Sequence, residues 1–237
     1  MSDDATIPVT CTIDDGVAVL RIDDGKVNVV SHRAIELLHA GLDRALDEAS
    51  AVAIVGREGK LSAGFDLTEM TAGVERTRAL VGAGGRILMR IFGHPQPVVV
   101  AVTGHALAAG ALLVLACDTR IGGDGPAKIG LNETAIGMGL PVYAVELAAA
   151  RLAPTHLTRA AVQAEIFDPP GAVAAGYLDR VVRAPECVPT AIAEARRLGR
   201  YRTSAYRHTK LALRQEMIDR VLAGIDADMA SIEAPSG

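Results

Sequence analysis

The chain has 237 residues, half of them hydrophobic, and a formal net charge of −4. This length suffices for one large domain, or for one domain with an appendage. The acidic balance and the low aromatic content of 3% argue against nucleic-acid binding. Without Trp, the core has to be built mainly from Ala, Val, Leu and Ile.

The sequence also predicts the compartment. The first residues, Met1 to Asp4, are acidic and polar, unlike a signal peptide. The longest apolar run, Ala106 to Cys117, is shorter than the roughly 20 residues of a membrane-spanning helix. Cys11, Cys117 and Cys187 are odd in number and widely spaced, which predicts a reduced, cytoplasmic setting without a metal site.

The N-terminal part predicts a hairpin followed by a helix and a strand. Val9 to Ile13 and Val17 to Ile22 flank an Asp-Asp-Gly turn, which is typical of a β-hairpin. A helix cap is expected near Ser31, and Val52 to Val55 is predicted to be a short buried strand. Apolar residues at helical spacing define the inward stripe of the helix: Ile35, Leu38, Leu42, Leu46 and Ala49.

The next segment contains a small-residue turn and a glycine-rich helix. Ser62 to Leu67 opens a helix, for which Asp66 is a natural cap. Residues 74–92 are predicted to be helical. Gly82-Ala83-Gly84-Gly85 is similar to a dinucleotide-binding run, but the third glycine would fall on Ile87 and no strand precedes it. We therefore assign no dinucleotide site there.

The stretch from Val98 to Glu133 carries the predicted chemistry. A strand over Val98 to Val102 is expected to end in a turn at Thr103 to His105 and to lead into a buried helix of small residues. The start of that helix has N–H groups without intrahelical partners and the positive end of the dipole. Ala and Gly leave this end open to a ligand oxygen. With a carboxylate at Glu133, such a site can remove a proton from a carbon beside a carbonyl.

The remaining chain is predicted to be mostly helical. Helices are expected from Pro141 to Leu152 and from Pro154, with a turn at Pro169-Pro170 and a strand over Leu178 to Val182. Residues 203–223 predict an amphipathic helix with an apolar stripe: Leu211, Leu213, Met217, Val221 and Leu222. Strands that alternate with helices favour an α/β fold with a helical C-terminal third.

Two turns share one design and point to a family. Ala63-Gly64-Phe65 and Ala108-Ala109-Gly110 are both made of small residues, follow a strand and open a helix. With their flanking runs, Ser62 to Leu67 and Gly104 to Asp118, they resemble the two signatures of the crotonase family, the enoyl-CoA hydratase/isomerase superfamily. Glu133 follows the second motif in the chain at the spacing expected in that family.

The resemblance implies a fold and a domain organisation. We expect the crotonase (ClpP-like) α/β fold of repeated ββα units, with the core domain at residues 1–183. Residues 184–237 are expected to form a C-terminal helical oligomerisation region. The implied assembly is a homotrimer or a dimer of trimers. The stripe from Leu211 to Leu222 is compatible with such an interface and could equally cover the chain's own core.

The resemblance also implies a reaction. The backbone N–H groups of Phe65 and Ala109 would bind the thioester oxygen of an acyl-CoA and stabilise its enolate. Family hydratases use two glutamates, and the corresponding positions here are Leu112 and Glu133. The single Glu133, in a Gly-Leu-Asn-Glu-Thr run, is similar to the base of the 3-enoyl to 2-enoyl-CoA isomerases. We expect double-bond isomerisation, with the apolar Leu112 desolvating Glu133 and favouring its basicity.

Substrate contacts follow from the same resemblance. The acyl-CoA is the expected partner and coenzyme A is part of the substrate, so no separate cofactor, metal, membrane or nucleic acid is implied. Lys60 is a further candidate for a phosphate contact. The residues expected to bind substrate are Lys26, Val27, Ala63, Gly64, Asp66, Leu67, Gly110 and Leu112.

Other interpretations of the same residues stay open. A loop glutamate such as Glu133 is usually a solvated surface residue. The chain also fits a weak or altered hydratase, a thioesterase in which Glu133 activates water, or an acyl-CoA-binding protein without catalysis. Structural roles are expected for His105 as a cap, for Asp118 as a hydrogen-bonding group and for Tyr143 in the core.

Overall fold

A computed structural model describes residues 7–232, so the predicted absence of a leader at Met1 to Asp4 lies outside the described residues. The strands of this part are β1 (Val9–Asp14), β2 (Val17–Ile22), β3 (Val29–Val30), β4 (Ala51–Val55), β5 (Gly59–Ser62), β6 (Gly64–Phe65), β7 (Val98–Val102), β8 (Gly104–Leu107), β9 (Thr119–Gly123), β10 (Ile129–Gly130) and β11 (Arg180–Val182). The helices are α1 (His32–Glu48), α2 (Leu67–Met70), α3 (Val74–Phe92), α4 (Ala109–Ala116), α5 (Val142–Arg151), α6 (Pro154–Leu157), α7 (Pro169–Ala175), α8 (Cys187–Gly199) and α9 (Thr203–Ala230).

The larger sheet has the strand order β1-β2-β4-β7-β9-β11. β1 and β2 form the predicted antiparallel hairpin, in which Val9 lies opposite Ile22. All later neighbours in this sheet pair in parallel. β4 and β7 are buried along their whole length, because helices cover both faces of the sheet. This double burial explains their uninterrupted apolar sequences.

Two smaller sheets carry the small-residue turns. One has the order β10-β8-β5 and the other pairs β3 with β6, all in parallel. The prediction of a turn at Thr103 to His105 is wrong, because Gly104 and His105 begin β8. A Cβ atom at Gly104 would lie 1.9 Å from the carbonyl carbon of Gly59. Glycine at position 104 therefore allows β8 to pack directly against β5.

Helix α1 confirms most of the predicted stripe. The Ser31 side chain accepts a hydrogen bond from Ala34 N and caps the helix. The predicted inward residues Ile35, Leu38 and Leu42 are buried, but Leu46 is 46% exposed. Ala45 takes the inward position instead, because the helical repeat of 3.6 residues turns Leu46 away from the sheet.

Proline residues mark a helix start rather than the predicted turn near position 169. Pro169 and Pro170 occupy the first turn of α7, and the Asp168 side chain accepts a hydrogen bond from Gly171 N at 2.8 Å. Proline is favoured at this position because its missing N–H group has no helical acceptor there. The predicted strand at Leu178 to Val182 forms only over β11.

Helix α8 packs against the second face of the larger sheet. Its buried residues Cys187, Ala191 and Ala195 join a core cluster with Val19, Val99 and other residues of the central strands. The other face is covered by a larger cluster that includes α1, α3 and α4. The boundary between residues 183 and 184 stays a prediction, and the first helix beyond it completes the core around the sheet.

Helix α9 lies against α3 and α5, and only part of the predicted apolar stripe faces them. Val221 is buried, but Leu213 is 81% exposed. The buried apolar residues of α9 are Ile218, Val221, Ile225 and Met229. Their spacing of three or four residues is that of a helical face, but the exposed Leu213 and Leu222 obscure it in the sequence.

A buried ionic cluster joins α9 to the end of α4. The Asp118 carboxylate accepts hydrogen bonds from Val98 N at 2.9 Å, Lys210 Nζ at 2.6 Å and Arg214 Nη1 at 2.7 Å. Lys210 Nζ also donates to the carbonyls of His94 and Gln96. The predicted structural hydrogen bond of Asp118 is thereby confirmed and is part of a larger cluster.

Candidate active site

The two small-residue turns are in direct contact. A Cβ atom built on Gly64 would lie 2.9 Å from Ala108 Cβ and 3.6 Å from Ala109 N. Gly64 has a φ of 105° and Ala108 a φ of 51°, so each candidate donor follows a residue with positive φ. Glycine adopts this backbone conformation easily. For Ala108 it is strained, and such strain persists where surrounding structure holds it.

Both turns offer a backbone N–H group to a ligand. Asp66 N donates to Val30 O at 3.2 Å. Consecutive N–H groups of a strand point to opposite sides, so that of Phe65 points away from β3. Ala109 begins α4, and the N–H groups of a first helical turn lack intrahelical partners. Two such donors are suited to binding one carbonyl oxygen.

Close packing at Gly110 holds the turns together. A Cβ atom at Gly110 would lie only 2.5 Å from Ser62 O, so α4 reaches the end of β5 because residue 110 has no side chain. Ser62 Oγ also accepts a hydrogen bond from Gly64 N at 3.2 Å. The structure thus places Gly110 in the contact between the turns, and Leu112 lies two residues further on in the core, 1% exposed.

Glu133 is buried close to the second turn. Ala108 N donates to Gly130 O at 3.1 Å, and Glu133 follows Gly130 by three residues, a span of at most about 11 Å. The Glu133 side chain is a buried charged group, and its Oε2 has no hydrogen-bond partner among residues 7–232. Burial raises the pKa of Glu133 above the ordinary value of 4.5, and its own backbone N–H group opposes this effect. A carboxylate in this state is a stronger base than one in water.

Two buried tyrosines lie within the electrostatic reach of Glu133. Burial raises the pKa of Tyr143, and the negative charge of Glu133 adds to this effect. Burial also raises the pKa of Tyr177, against the smaller effect of the Leu131 N–H group, and Glu133 again contributes. Tyr143 Oη donates to Val81 O at 3.1 Å, which agrees with the predicted core role. Both phenols are therefore neutral neighbours of the carboxylate.

The loop before β3 is shaped by a network that the sequence did not reveal. Asn28 is fully buried and has a φ of 59°. Its Nδ2 donates to Ile22 O at 2.9 Å and to Leu61 O at 3.2 Å, while its Oδ1 accepts from Asp24 N. Burial opposes ionisation of Asp24, but N–H donors from Asn28, Val29 and Lys26 lower its pKa overall. The Asp-Gly-x-x-Asn spacing was the available signal, since Asn tolerates this backbone conformation.

We expect Asn28→Ala to lower the free energy of unfolding by about 2–4 kcal/mol, because it leaves buried carbonyls unpaired and puts alanine at positive φ. Chemical denaturation measures this change. Ser31→Ala, which removes only a helix cap, is the matched control and should cost about 1 kcal/mol. Equal losses in the two variants would show that the Asn28 amide does not hold the loop.

Three of the predicted substrate-binding residues, Lys26, Val27 and Ala63, lie at this loop. Ala63 N donates to Val27 O at 3.1 Å, and Lys60 Nζ donates to Lys26 O at 3.2 Å. Lys26, Val27 and Ala63 are exposed, as phosphate or pantetheine contacts need to be. Arg57, which sequence reasoning missed, donates to Lys26 O at 3.0 Å and adds a third cation to this edge.

The helix after the first turn is short and its first residue points outward. Asp66 accepts a hydrogen bond from Thr68 N at 2.8 Å, which confirms its predicted capping role. Leu67 is 66% exposed. His105 Nδ1 accepts from Lys128 N at 3.0 Å, a structural contact of the kind expected for this histidine.

The described residues show neither a metal-binding cluster nor a membrane-spanning helix. No group of three or more His, Cys, Asp or Glu side chains in residues 7–232 is arranged to hold a metal ion. None of the helices in the same range combines the length and apolar character needed to span a membrane.

The comparisons with known proteins agree on one family. The family model described as enoyl-CoA hydratase/isomerase matches residues 12–235. A crystal structure of an enoyl-CoA hydratase/isomerase family protein from Pseudomonas syringae has a TM-score of 0.93 and 41% identity, covering 95% of this chain and 98% of that chain. Human mitochondrial enoyl-CoA delta isomerase 1 is 29% identical over 222 residues, covering 90% of this chain and 72% of the human protein. A probable enoyl-CoA hydratase of Bacillus subtilis is 34% identical over 140 residues, 57% of this chain, and the match spans about half of that protein (54%).

The described architecture is the crotonase fold, an α/β core of ββα units followed by C-terminal helices. The chain belongs to the enoyl-CoA hydratase/isomerase family. Both findings confirm what the two turn motifs predicted. The names of the relatives divide between hydratases and isomerases, so the reaction has to be argued from the residues of this chain.

Proposed function

We propose that this chain acts on acyl-CoA thioesters and moves the double bond of a 3-enoyl-CoA to the 2-position, with Glu133 as the single base. The observation that carries the proposal is a buried Glu133 with an unpaired oxygen, combined with an alkyl side chain at position 112. A hydratase of this family has glutamates at both places. Similarity over most of the chain to a human protein named as an isomerase supports the same choice.

In the proposed reaction the thioester oxygen accepts hydrogen bonds from the N–H groups of Phe65 and Ala109. Removal of the α-proton places negative charge on this oxygen, so the two donors bind the enolate more tightly than the substrate. Removal of one such donor in other enzymes costs about 3 kcal/mol of transition-state stabilisation. The contact between the two turns and the positive φ at Gly64 and Ala108 support this role.

Glu133 then moves one proton between two carbons. Its carboxylate accepts the α-proton, and the C–H electron pair becomes the enolate. The protonated side chain returns the proton to the γ-carbon as the enolate reforms the carbonyl, which leaves the double bond conjugated with the thioester. Hydration is disfavoured because Leu112 has no group to hold or deprotonate a water.

The coenzyme A part of the substrate is proposed to lie along the loop that precedes β3. Lys26 and Lys60, with the neighbouring Arg57, supply positive charge for phosphates. We propose further contacts to the pantetheine and acyl parts from the other predicted residues: Val27, Ala63, Gly64, Asp66, Leu67, Gly110 and Leu112. No resident cofactor takes part, since the activating thioester is supplied by the substrate.

A panel of 2-enoyl- and 3-enoyl-CoAs, followed by mass spectrometry and ultraviolet absorbance, tests the proposal. Isomerisation leaves the mass unchanged and creates the absorbance of a conjugated thioester. A hydratase would add the mass of one water to a 2-enoyl-CoA, and a thioesterase would release the CoA thiol. Tight binding without any product would instead identify a non-catalytic acyl-CoA-binding protein.

We also propose that the chain assembles as a homotrimer or a dimer of trimers in the cytoplasm. Apolar residues left on the surface of α9 support an interface there, since Leu213 is 81% and Leu222 39% exposed. Sedimentation equilibrium measures the subunit number directly.

A further inference from the structure

The glycine run of α3 receives side chains from three other elements. A Cβ atom at Gly82 would lie 3.2 Å from Met229 Cγ of α9. At Gly85 it would meet Tyr143 of α5 at 2.6 Å, and at Gly84 it would meet the Phe65 ring. At each of these glycines the missing side chain allows a different neighbouring residue to pack directly on the backbone of α3.

The contact at Gly84 is the one that reaches the candidate site. A Cβ atom there would lie 2.4 Å from both Cε1 and Cζ of Phe65, far inside the carbon–carbon contact distance of about 3.5–4.0 Å. The Cε1–Cζ edge of the Phe65 ring thus abuts α3, in a position that any larger residue at 84 would occupy.

The surroundings leave the ring little room to move. The adjoining cavity, lined by apolar parts of Ile87, Leu88, Ala109 and other residues, has a volume of about 20 Å³. This is the size of a single water molecule. A phenylalanine side chain has only two rotatable bonds, so a forced displacement of its ring is passed to the backbone of residue 65.

We propose that Gly84 is a positioning residue, which lets the Phe65 ring seat on α3 and thereby holds the Phe65 N–H group in line with that of Ala109. The inference rests on the proposed function, because it assigns the Phe65 amide to the thioester oxygen. It explains why a helix interior keeps glycine at position 84, where alanine has the higher helix propensity.

The test compares Gly84→Ala with Gly82→Ala. Both changes add one methyl group to α3 and gain the same helix propensity, but at Gly82 the neighbour is the flexible Met229 side chain, with its Cγ at 3.2 Å from the new Cβ atom. We expect kcat for a 3-enoyl-CoA to fall about 10- to 100-fold in Gly84→Ala, with KM changed less than about twofold, because a misplacement of about 1 Å has such an effect on catalysis. Gly82→Ala should retain the wild-type kcat.

Replacing the Phe65 ring distinguishes a positioning effect of Gly84 on Phe65 from general damage to α3. In a Phe65→Leu background, adding Gly84→Ala should lower kcat less than about threefold, because the side chain that the new methyl group displaces is smaller. Thermal unfolding of all variants shows whether each is folded. An undiminished kcat in Gly84→Ala, or an equal loss with and without the ring, overturns the inference.

An infrared measurement keeps this inference distinct from the isomerase assignment. Butyryl-CoA labelled with ¹³C at the thioester carbonyl needs no turnover, and its carbonyl band should shift to lower frequency on binding to the wild-type protein. The shift should shrink in Gly84→Ala and persist in Gly82→Ala. If the wild type isomerises nothing but shows this pattern, the proposed reaction fails and the role of Gly84 stands. No band shift in the wild type, or the full shift in Gly84→Ala, overturns the role of Gly84.

Discussion

Glu133→Gln is expected to abolish isomerisation, with kcat for a 3-enoyl-CoA falling about a thousandfold or more while the thioester still binds. Positioned general bases contribute about 10²–10⁴-fold to rate. In this chain Leu112 provides no second carboxylate to take over the proton transfer. Ultraviolet absorbance of the conjugated product measures turnover, and the shifted carbonyl band of bound butyryl-CoA shows that binding is retained.

Glu165→Gln is the matched control for this variant. The Glu165 side chain also has a buried unpaired oxygen, but its other oxygen pairs with Arg159 at 2.5 Å. Its backbone carbonyl lies beside Gly130, the residue that leads to Glu133. We expect its kcat to stay within about threefold of wild type. Undiminished turnover in Glu133→Gln, or an equal loss in both variants, would refute Glu133 as the base.

The raised pKa of Glu133 predicts how the activity of the wild type and the stability of Glu133→Gln depend on pH. The wild-type kcat/KM should rise with pH as Glu133 ionises, with a midpoint above 4.5 because burial disfavours the charged form. A carboxyl group whose pKa is higher in the folded state than in the unfolded state lowers the stability of the fold at high pH. This loss begins as the pH rises through the ordinary pKa and is complete above the folded-state pKa. Glu133→Gln should therefore be more stable than wild type at pH 8, and this difference should shrink at pH 4. Thermal unfolding at the two pH values checks it.

Asp118→Ala is expected to lower the free energy of unfolding by about 3–5 kcal/mol. It removes the carboxylate from Lys210 and Arg214, whose side chains are 4% and 14% exposed. Breaking a buried ion pair is costly because the remaining charges have lost their partner without regaining water. Urea denaturation, monitored by circular dichroism, measures the change.

The control for Asp118→Ala is a surface ion pair that also involves α9, the helix that carries Lys210 and Arg214. Glu146 of α5 holds Arg220 of α9 at 2.9 Å, but the two side chains are 28% and 53% exposed. Glu146→Ala should cost less than about 1 kcal/mol, as is usual for exposed pairs. If the two alanine variants lose similar stability, the Asp118 cluster does not anchor α9.

The sequence predicted the fold and the candidate donors because both depend on backbone behaviour that few residues allow. Gly64 supplies a positive φ, and small residues around Ala109 leave a helix start open to a ligand. The uninterrupted apolar run of β7 predicts a strand buried on both faces. Such signals are local, so they can be interpreted without knowing which elements pack together.

The predictions that failed depend on packing partners that are distant in the chain. Gly104 was interpreted as part of a turn, because glycine is common in turns. The actual reason for glycine at this position is the close contact with the backbone of Gly59, which the sequence does not show. Leu46 was placed on the buried face of α1, since helical spacing alone does not fix which side meets the core. The glycine run that includes Gly84 was noticed, but its contact with Phe65 could not be predicted, because Phe65 and α3 meet only in the folded chain.

The position of Asp118 in the chain also has a consequence for how the protein is made on the ribosome. Asp118 is synthesised 92 residues before Lys210 and 96 before Arg214. Until the start of α9 has emerged, the Asp118 carboxylate has neither cation, and α9 does not yet cover α3 and α5. Since elongation proceeds at about 5–20 residues per second, the nascent chain spends several seconds in this state. Chaperone binding during synthesis is therefore expected to end only when α9 docks.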